Sequence, residues 1–251
     1  MLKTRRDPAV DDGWTSETSS GFALAGFLGV VFVIFTLLAM GPLSSFDAYF
    51  NLSPPPPAWL PVLHILDHVG QRAIAVTILG IVTYRVCRQI RSWRPALLVV
   101  AGVLAQNFVV GVLKLSLGRD SPESANPSFF TGGMAYPSGH SSNVIMVYGL
   151  LAYVVLHYSN PGRRTRAFLW SLVPVLSVVM VFTSLTLHWH WFSDLLSGLI
   201  IGGAVLQLTV AVDRSLPDPE PGLTWPMIRA WLHVWLRMLR IRRSRGPAGP
   251  G

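Results

Sequence analysis

Six long apolar segments constrain the fold of this chain more than any other feature of its sequence. They lie at 21–43, 69–84, 95–113, 141–156, 167–187 and 195–212. Each approaches the ~20 residues that a helix needs to cross the hydrocarbon core of a bilayer. Only 13% of the residues are charged, against roughly 25% in a soluble domain, which argues against a soluble enzyme, a disordered chain or a collagen-like chain. We predict an all-α fold, a polytopic membrane bundle with six transmembrane helices.

The basic residues are distributed unevenly around these segments. Of the 20 Lys and Arg residues, all but Arg72, Lys114 and Arg119 lie in the N-terminal tail, between the second and third segments, between the fourth and fifth, or after the sixth. Lys and Arg accumulate in the cytoplasmic loops of membrane proteins, so we expect a multi-pass protein of the cell membrane with both termini cytoplasmic. Topology then explains the net charge of +8, and we expect no nucleic-acid partner.

The first apolar segment lies where a secretory signal peptide would lie. Its apolar run exceeds the roughly 7–15 residues of a signal core, and no clear small-x-small cleavage site follows it. We interpret this segment as a retained membrane anchor.

We predict four parts in the chain. Residues 1–20 form a cytoplasmic tail, 21–212 the six-span domain, 213–224 a proline-rich linker and 225–251 a basic amphipathic C-terminal helix and tail. Such a helix suits the anionic surface of the cytoplasmic leaflet, and a helix that binds a calmodulin-like partner is the alternative. After the four prolines at 54–57, the apolar residues Trp59, Leu60, Val62 and Leu63 predict a short helix in the membrane interface.

Three clusters of polar residues lie at the ends of the apolar segments. They cover 114–122, 137–140 and 183–194, and on the predicted topology all three meet at the extracytoplasmic face. Ionisable residues are rare at such positions unless they pair, snorkel to the interface or take part in function. These clusters are therefore the candidate functional site.

The sequence Pro137-Ser138-Gly139-His140, before the fourth segment, suits an anion site. Ser138 can cap the following helix, whose free N–H groups and dipole attract an anion. Gly139 allows a close backbone approach, and His140 would act as a hydrogen-bond donor. The alternative is a plain helix cap with an interfacial histidine. Lys114 and Arg119 supply positive charge nearby, with snorkelling at a span end as the alternative.

His190 and Asp194 are four residues apart, and on a helix they would share one face. The carboxylate can then keep one imidazole nitrogen protonated and leave the other free as a nucleophile. Metal binding by His188, His190 and Asp194 is a competing use, and an aromatic belt would account for the neighbouring tryptophans but not for the aspartate. Because His188 and His190 would point in different directions on a helix, and because Cys87 is the single cysteine, we expect no metal site.

Together these clusters resemble the type 2 phosphatidic acid phosphatase and vanadium haloperoxidase superfamily, in its membrane-embedded lipid phosphatase branch. That family's signature is Lys, six residues, Arg-Pro; then Pro-Ser-Gly-His; then Ser-Arg, five residues, His, three residues, Asp. Residues 137–140 match the second part in full, and His190 and Asp194 match the end of the third. Lys114 and Pro122 match the ends of the first part, with Arg119 where many members carry an additional arginine.

The resemblance implies a phosphatase that needs no metal or other cofactor. It implies that His190 attacks phosphorus and forms a phosphohistidine, with Asp194 orienting it. His140 would protonate the leaving oxygen and afterwards activate water. The residues implied to hold the phosphoryl oxygens are Lys114, Arg119, Ser138 and Gly139. The position at the lipid boundary fits a lipid phosphate, such as phosphatidate, phosphatidylglycerol phosphate or polyprenyl diphosphate.

The sequence departs from the signature at two arginine positions. Ser121 stands in the first part, and Thr183-Ser184 stands where the third part has Ser-Arg. Each charge-assisted contact that is lost costs roughly 1.5–3 kcal/mol. The candidates for compensation are Arg119, His188 and Arg72, together with Ser121 and Ser184 themselves, whereas the carboxylate of Asp120 would oppose anion binding.

Three functions stay open on this basis. The first is a metal-independent hydrolase of lipid phosphate monoesters or diphosphates. The second is a family member that binds lipid phosphate with little or no turnover, and restoring arginine at 121 and 184 would then raise activity. The third is a transporter, against which the spans lack central charges and paired broken helices.

Overall fold

The structure is a computed structural model that describes residues 16–51, 54–124 and 127–216, and this part of the chain is helical without strands. The helices are α1 (Ser16–Ala39), α2 (Ser44–Tyr49), α3 (Leu60–Asp67), α4 (Arg72–Ile90), α5 (Arg94–Leu117), α6 (Gly139–Asn143), α7 (Gly149–Tyr158), α8 (Arg163–Thr186) and α9 (Phe192–Ser215). Short 3₁₀ turns occupy Pro57–Trp59, His68–Gly70 and Pro122–Ser124, and a π-helical turn at Val144–Tyr148 joins α6 to α7.

Six helical segments of the described chain are long and apolar enough to cross a membrane. They are Thr18–Ala39, Pro57–Ile90, Arg94–Ser124, Gly139–Tyr158, Arg163–Thr186 and Phe192–Ser215. The predicted all-α membrane bundle with six spans is therefore confirmed. The chain is a multi-pass membrane protein.

The helix ends differ from the predicted bounds because backbone hydrogen bonding continues past the last lipid-facing residue. α4 runs to Ile90 rather than 84, and α9 continues to Ser215, into the predicted linker. α1 begins at Ser16 and ends at Ala39, earlier than predicted at both ends. The short helix predicted after the four prolines is present as α3, and its position in the membrane interface stays a prediction. Most of the N-terminal tail, most of the linker and the predicted amphipathic helix at 225–251 lie outside the described residues.

The centre of the bundle is formed by α9 and by the continuous segment from α6 to α7. In the most apolar stretch of each span, 61% of the residues are buried in Gly139–Tyr158 and 50% in Phe192–Ser215, against 17% in Thr18–Ala39. The outer helices expose large apolar side chains, including those of Phe27, Leu97 and Phe168. Such surfaces are stable in lipid rather than in water.

Two glycines on α9 allow α6 to pack closely against it. A Cβ atom at Gly198 would lie 2.5 Å from the carbonyl oxygen of Ser138, and one at Gly202 would lie 2.7 Å from that of Ser142. Small residues allow this close approach between membrane helices. The contact brings the start of α6 beside the start of α9. With the spans alternating in direction, the C-terminal ends of α5 and α8 and the N-terminal ends of α4, α6 and α9 meet at one end of the bundle, called the site end below.

Candidate active site

A cavity of about 750 Å³ opens at the site end. Its wall includes residues from all three polar clusters and from the start of α4, among them Arg72, Lys114, Ser121, Gly139, His140 and His190. Segments that are far apart in the sequence therefore share one cavity. Helix direction and the close contact between α6 and α9 bring them together.

The two histidines of the cavity face each other across a short gap. The ring centroids of His140 and His190 lie 6.1 Å apart, with an angle of 62° between the planes. The side chain of His140 is 24% exposed and that of His190 is 9% exposed. The arrangement places two groups that can exchange protons or attack an electrophile on either side of one small space.

His190 lies in the turn before α9, with Trp191 as the helix cap, so the predicted shared helix face is wrong. The pairing with Asp194 nevertheless forms, because the cap folds the chain back on the first turn of the helix. His190 Nδ1 is 3.7 Å from Asp194 Oδ2, and that oxygen accepts a hydrogen bond from the backbone N–H of Trp191 at 2.9 Å. The Nε2 atom then lies on the opposite side of the ring from the carboxylate.

Arg119 is placed differently from the prediction, because it lies behind the cavity and not on its wall. Its side chain is fully buried. One guanidinium nitrogen donates to Asp194 Oδ1 at 2.6 Å and to Ser193 Oγ at 2.7 Å, and the other donates to Asp47 Oδ2 at 2.6 Å. The guanidinium also lies 5.9 Å from the ring of Tyr136, whose pKa is raised by burial so that the phenol stays neutral. Arg119 therefore fixes the carboxylate of Asp194 rather than a ligand in the cavity.

The remaining predicted anion-binding residues divide into two groups. Lys114, in the last turn of α5, lines the cavity and donates a hydrogen bond to the carbonyl oxygen of Met134. Gly139 lines the cavity as well, and a Cβ atom added to it would lie 3.9 Å from Lys114 Cε. Ser138 is fully buried: its Oγ caps α6 through the N–H of Ser141, and its own N–H donates to the carbonyl oxygen of Asp194 at 2.9 Å. Ser138 thus joins α6 to α9 instead of facing the cavity.

The two serines that stand at arginine positions of the family signature, Ser121 and Ser184, differ in their surroundings. Ser121 is half-buried on the cavity wall, whereas Ser184 is fully buried and its hydroxyl donates to Met180 Sδ at 3.3 Å. His188 lies in the turn after α8, with a φ of +58°. Arg72, at the start of α4, is exposed at the cavity mouth, and it and Ser121 are the compensating candidates that the structure places on the wall.

Two buried carboxylates near the cavity were not singled out from the sequence. Asp47, on α2, accepts hydrogen bonds from Arg119, from Ser193 Oγ at 2.6 Å and from the Ser193 N–H at 2.8 Å. Asp67, at the end of α3, has its Oδ2 atom 3.8 Å from His140 Nε2. Both occur in a largely uncharged stretch between two spans, and that isolation is the signal by which the sequence could have shown them.

In the part of the chain that the structure describes, no three His, Cys, Asp or Glu side chains are grouped as they would be around a metal ion. The alternative set of His188, His190 and Asp194 is not brought together. The acidic and imidazole groups of the site are arranged as two pairs, in which a histidine nitrogen lies 3.7 or 3.8 Å from a carboxylate oxygen, just beyond hydrogen-bond distance.

Comparison with known proteins finds a family model, two relatives and a solved structure that this chain resembles. Residues 95–216 match the family model of the PAP2 superfamily. Phosphatidylglycerophosphatase B of Bacillus subtilis (strain 168) is 23% identical over 159 residues, which are 63% of this chain and 77% of that protein. An uncharacterised 22.5 kDa protein in the cps region of Klebsiella pneumoniae is 29% identical over 103 residues, 41% of this chain and 48% of that protein.

A solved structure shares the fold. The crystal structure of a transmembrane PAP2-type phosphatidylglycerolphosphate phosphatase from Bacillus subtilis aligns with a TM-score of 0.66 at 19% identity, covering 78% of this chain and 98% of that one. The fold is that of a membrane-embedded helical bundle of the PAP2 type. The family match, the relative in Bacillus subtilis and the solved structure support the assignment of this chain to the PAP2 superfamily.

Proposed function

We propose that this protein hydrolyses lipid phosphate monoesters or diphosphates through a phosphohistidine intermediate. The observation that carries the proposal is the pair of histidines, 6.1 Å apart, on one cavity that also contains Lys114. A nucleophile, a proton donor and a fixed cation around one space are the parts that phosphoryl transfer to a side chain requires.

His190 is the nucleophile in this proposal, and its Nε2 attacks phosphorus. Asp194 holds the proton on Nδ1 and stabilises the charge that develops on the ring, as the third member of a triad does. Arg119 holds this carboxylate in place through the hydrogen bond at 2.6 Å. His140 donates a proton to the leaving oxygen and then accepts one from the water that cleaves the P–N bond.

The phosphoryl oxygens are held by Lys114, by the backbone at Gly139 and by Arg72. Arg72 supplies at the mouth of the cavity part of the positive charge that Ser121 and Ser184 do not provide. Fixed donors of this kind stabilise the charge of the transition state without having to reorganise during the reaction. No metal takes part in the proposed reaction.

The substrate class follows from where the cavity lies. It opens at the ends of the membrane-spanning helices, so an amphiphilic substrate can reach it with its tails in the bilayer. Phosphatidate, phosphatidylglycerol phosphate and polyprenyl diphosphate fit this position, and a relative in Bacillus subtilis is named for phosphatidylglycerophosphate. With 17 of the 20 basic residues on the other side of the predicted topology, we propose that the site faces away from the cytoplasm.

The test is phosphate release from these lipids by the purified full-length protein in lipid–detergent micelles. We expect His190→Ala to lose at least 10³-fold in kcat, as removal of a covalent nucleophile does. His64→Ala is the matched control, because His64 is an exposed histidine on α3, and it should retain wild-type turnover. A His190→Ala variant as active as the wild type would refute the mechanism.

A second candidate, lipid phosphate binding with little turnover, is favoured by the carboxylate of Asp120 on the cavity wall. A negative charge there weakens the binding of a dianion and of the more highly charged transition state. Wild-type turnover no faster than that of a His140→Ala/His190→Ala double variant, with phosphate binding retained, would establish this second function.

A further inference from the structure

A second histidine–aspartate pair lies on the opposite side of the cavity from His190. Asp67 is 2% exposed, and its Oδ2 atom lies 3.8 Å from Nε2 of His140. Its Oδ1 atom has no hydrogen-bond partner among the described residues. A buried carboxylate oxygen without a partner is costly, so the retention of Asp67 beside a site histidine points to a role there.

The 3₁₀ turn His68–Gly70 holds Asp67 in this position. A Cβ at Gly70 would collide with Met180 Cε of α8 and would lie 3.3 Å from His140 Cβ, so the turn is packed tightly between the two. Met180 in turn accepts the hydrogen bond of Ser184. The turn thus packs against Met180, which contacts Ser184, where the family signature has arginine. The same turn brings Asp67 close to His140.

We propose that Asp67 is a positioning residue for His140. This inference rests on the proposed function. Asp67 accepts the hydrogen bond of His140 Nε2–H once the bound substrate closes the 3.8 Å separation, as hydrogen bonds in empty sites often tighten on binding. The ring is then fixed, and its other nitrogen, Nδ1, carries the proton that is transferred.

The proton and electron pairs balance in two steps. In the first, His190 Nε2 forms a bond to phosphorus, the bond between phosphorus and the leaving oxygen breaks, and that oxygen takes the proton from His140 Nδ1. In the second, His140 Nδ1 takes a proton from water, the water oxygen bonds to phosphorus, and the P–N bond breaks with its electrons returning to His190. Asp67 accepts the Nε2–H hydrogen bond in both steps and stabilises the imidazolium at the start and end of the cycle.

Asp67 and its turn lie outside residues 95–216, the part of the chain that matches the family model. Asp67 is therefore a contribution of the preceding helices to His140, whereas both members of the other pair, His190 and Asp194, lie within the matched region. In metal sites, carboxylates that orient a ligating histidine change affinity or activity by roughly 10- to 100-fold when they are replaced, and we expect an effect of the same order for Asp67.

The experiment compares two leaving groups with the full-length protein. A short-chain phosphatidate releases an alkoxide, which needs a proton, whereas p-nitrophenyl phosphate releases a phenolate, which does not. We expect Asp67→Asn to lower kcat/KM about 10- to 100-fold for the phosphatidate and less than threefold for p-nitrophenyl phosphate. The ratio kcat/KM is used because it reports formation of the phosphohistidine and not its hydrolysis.

The matched control is Glu123→Gln, which neutralises an exposed carboxylate at the same end of the bundle and should leave both substrates unaffected. Asp67→Glu keeps the negative charge on a longer side chain. It should lower kcat/KM for the phosphatidate more than for p-nitrophenyl phosphate, but by less than Asp67→Asn does, so it serves as the test if Asp67→Asn does not fold. Equal losses on both substrates, or no loss on either, would overturn the inference while leaving the proposed function in place. A wild type that hydrolyses neither substrate would overturn both.

Discussion

The two serines that replace arginines of the family signature lie in contrasting surroundings, and this contrast gives a sharp prediction. Ser121 is half-buried on the cavity wall, whereas Ser184 is fully buried against Met180. The sequence alone suggests that arginine at either position would raise activity. From the structure we expect Ser121→Arg to raise activity and Ser184→Arg to destabilise the protein.

The magnitudes follow from the surroundings. At 121 a guanidinium can reach a bound phosphate from the wall, and one charge-assisted contact contributes roughly 1.5–3 kcal/mol. The neighbouring Asp120 and the solvent reduce this contribution to the lower end of that range. It then corresponds to an increase of about tenfold in kcat/KM, at 1.36 kcal/mol per tenfold. At 184 the added volume displaces Met180, which already packs against Gly70. Overpacking and an unpaired buried charge together cost about 3–5 kcal/mol, a large part of a typical stability.

The assay is kcat/KM on a short-chain phosphatidate together with thermal unfolding in the same detergent. Ser124→Arg is the matched control, because it adds the same charge at an exposed position near the cavity. A Ser121→Arg variant no more active than Ser124→Arg would contradict the placement of Ser121 on the cavity wall, within reach of a bound phosphate. So would a Ser184→Arg variant that gains activity and unfolds at the wild-type temperature.

Four further outcomes are expected. Arg119→Ala leaves the buried carboxylates of Asp47 and Asp194 without a counter-charge, so the free energy of unfolding should fall by about 3–5 kcal/mol. An unchanged unfolding temperature would contradict this. Arg72→Ala should raise KM for phosphatidate about tenfold, whereas Arg85→Ala, at an exposed position on the same helix, should not. Asp120→Asn should lower KM two- to fivefold, by about 1 kcal/mol or less, and a difference that persists at 1 M salt would refute an electrostatic cause. Dialysis against EDTA should leave phosphate release unchanged, and loss that added divalent metal restores would disprove a metal-free reaction.

The transmembrane helices could be predicted from the sequence because lipid selects long apolar segments independently of how they pack. Their ends could not. α9 extends to Ser215 through polar residues whose side chains find partners in the folded chain: the carboxylate of Asp213 accepts from Arg94 Nε at 2.8 Å and from the hydroxyls of Tyr153 and Tyr158 at 2.7 Å. The π-helical turn at Val144–Tyr148 was also not predicted, since a change in hydrogen-bond register leaves no pattern in an apolar run.

The meeting of the three polar clusters could be anticipated from chain order, because alternating spans return every second loop to the same face. The roles of individual charges could not. The local sequence around Arg119 does not distinguish a side chain that faces a ligand from one that is buried. Its position is decided by Asp47, 72 residues away in the chain, and by the carboxylate of Asp194. A buried cation requires such partners, and long-range pairing has no local signature.

The charge balance of the site depends on helices on both sides of the boundary of the family match at residue 95. The matched region contributes the histidines, Lys114 and Asp194, while the preceding helices contribute Asp47, Asp67 and Arg72. Two charge pairs cross this boundary: Arg119 donates to Asp47, and Asp67 lies 3.8 Å from His140. Substitutions within such a network do not act independently. A change at Ser121 therefore cannot be evaluated without Asp120 beside it and Arg72 across the cavity, because all three determine the potential that one bound phosphate would experience.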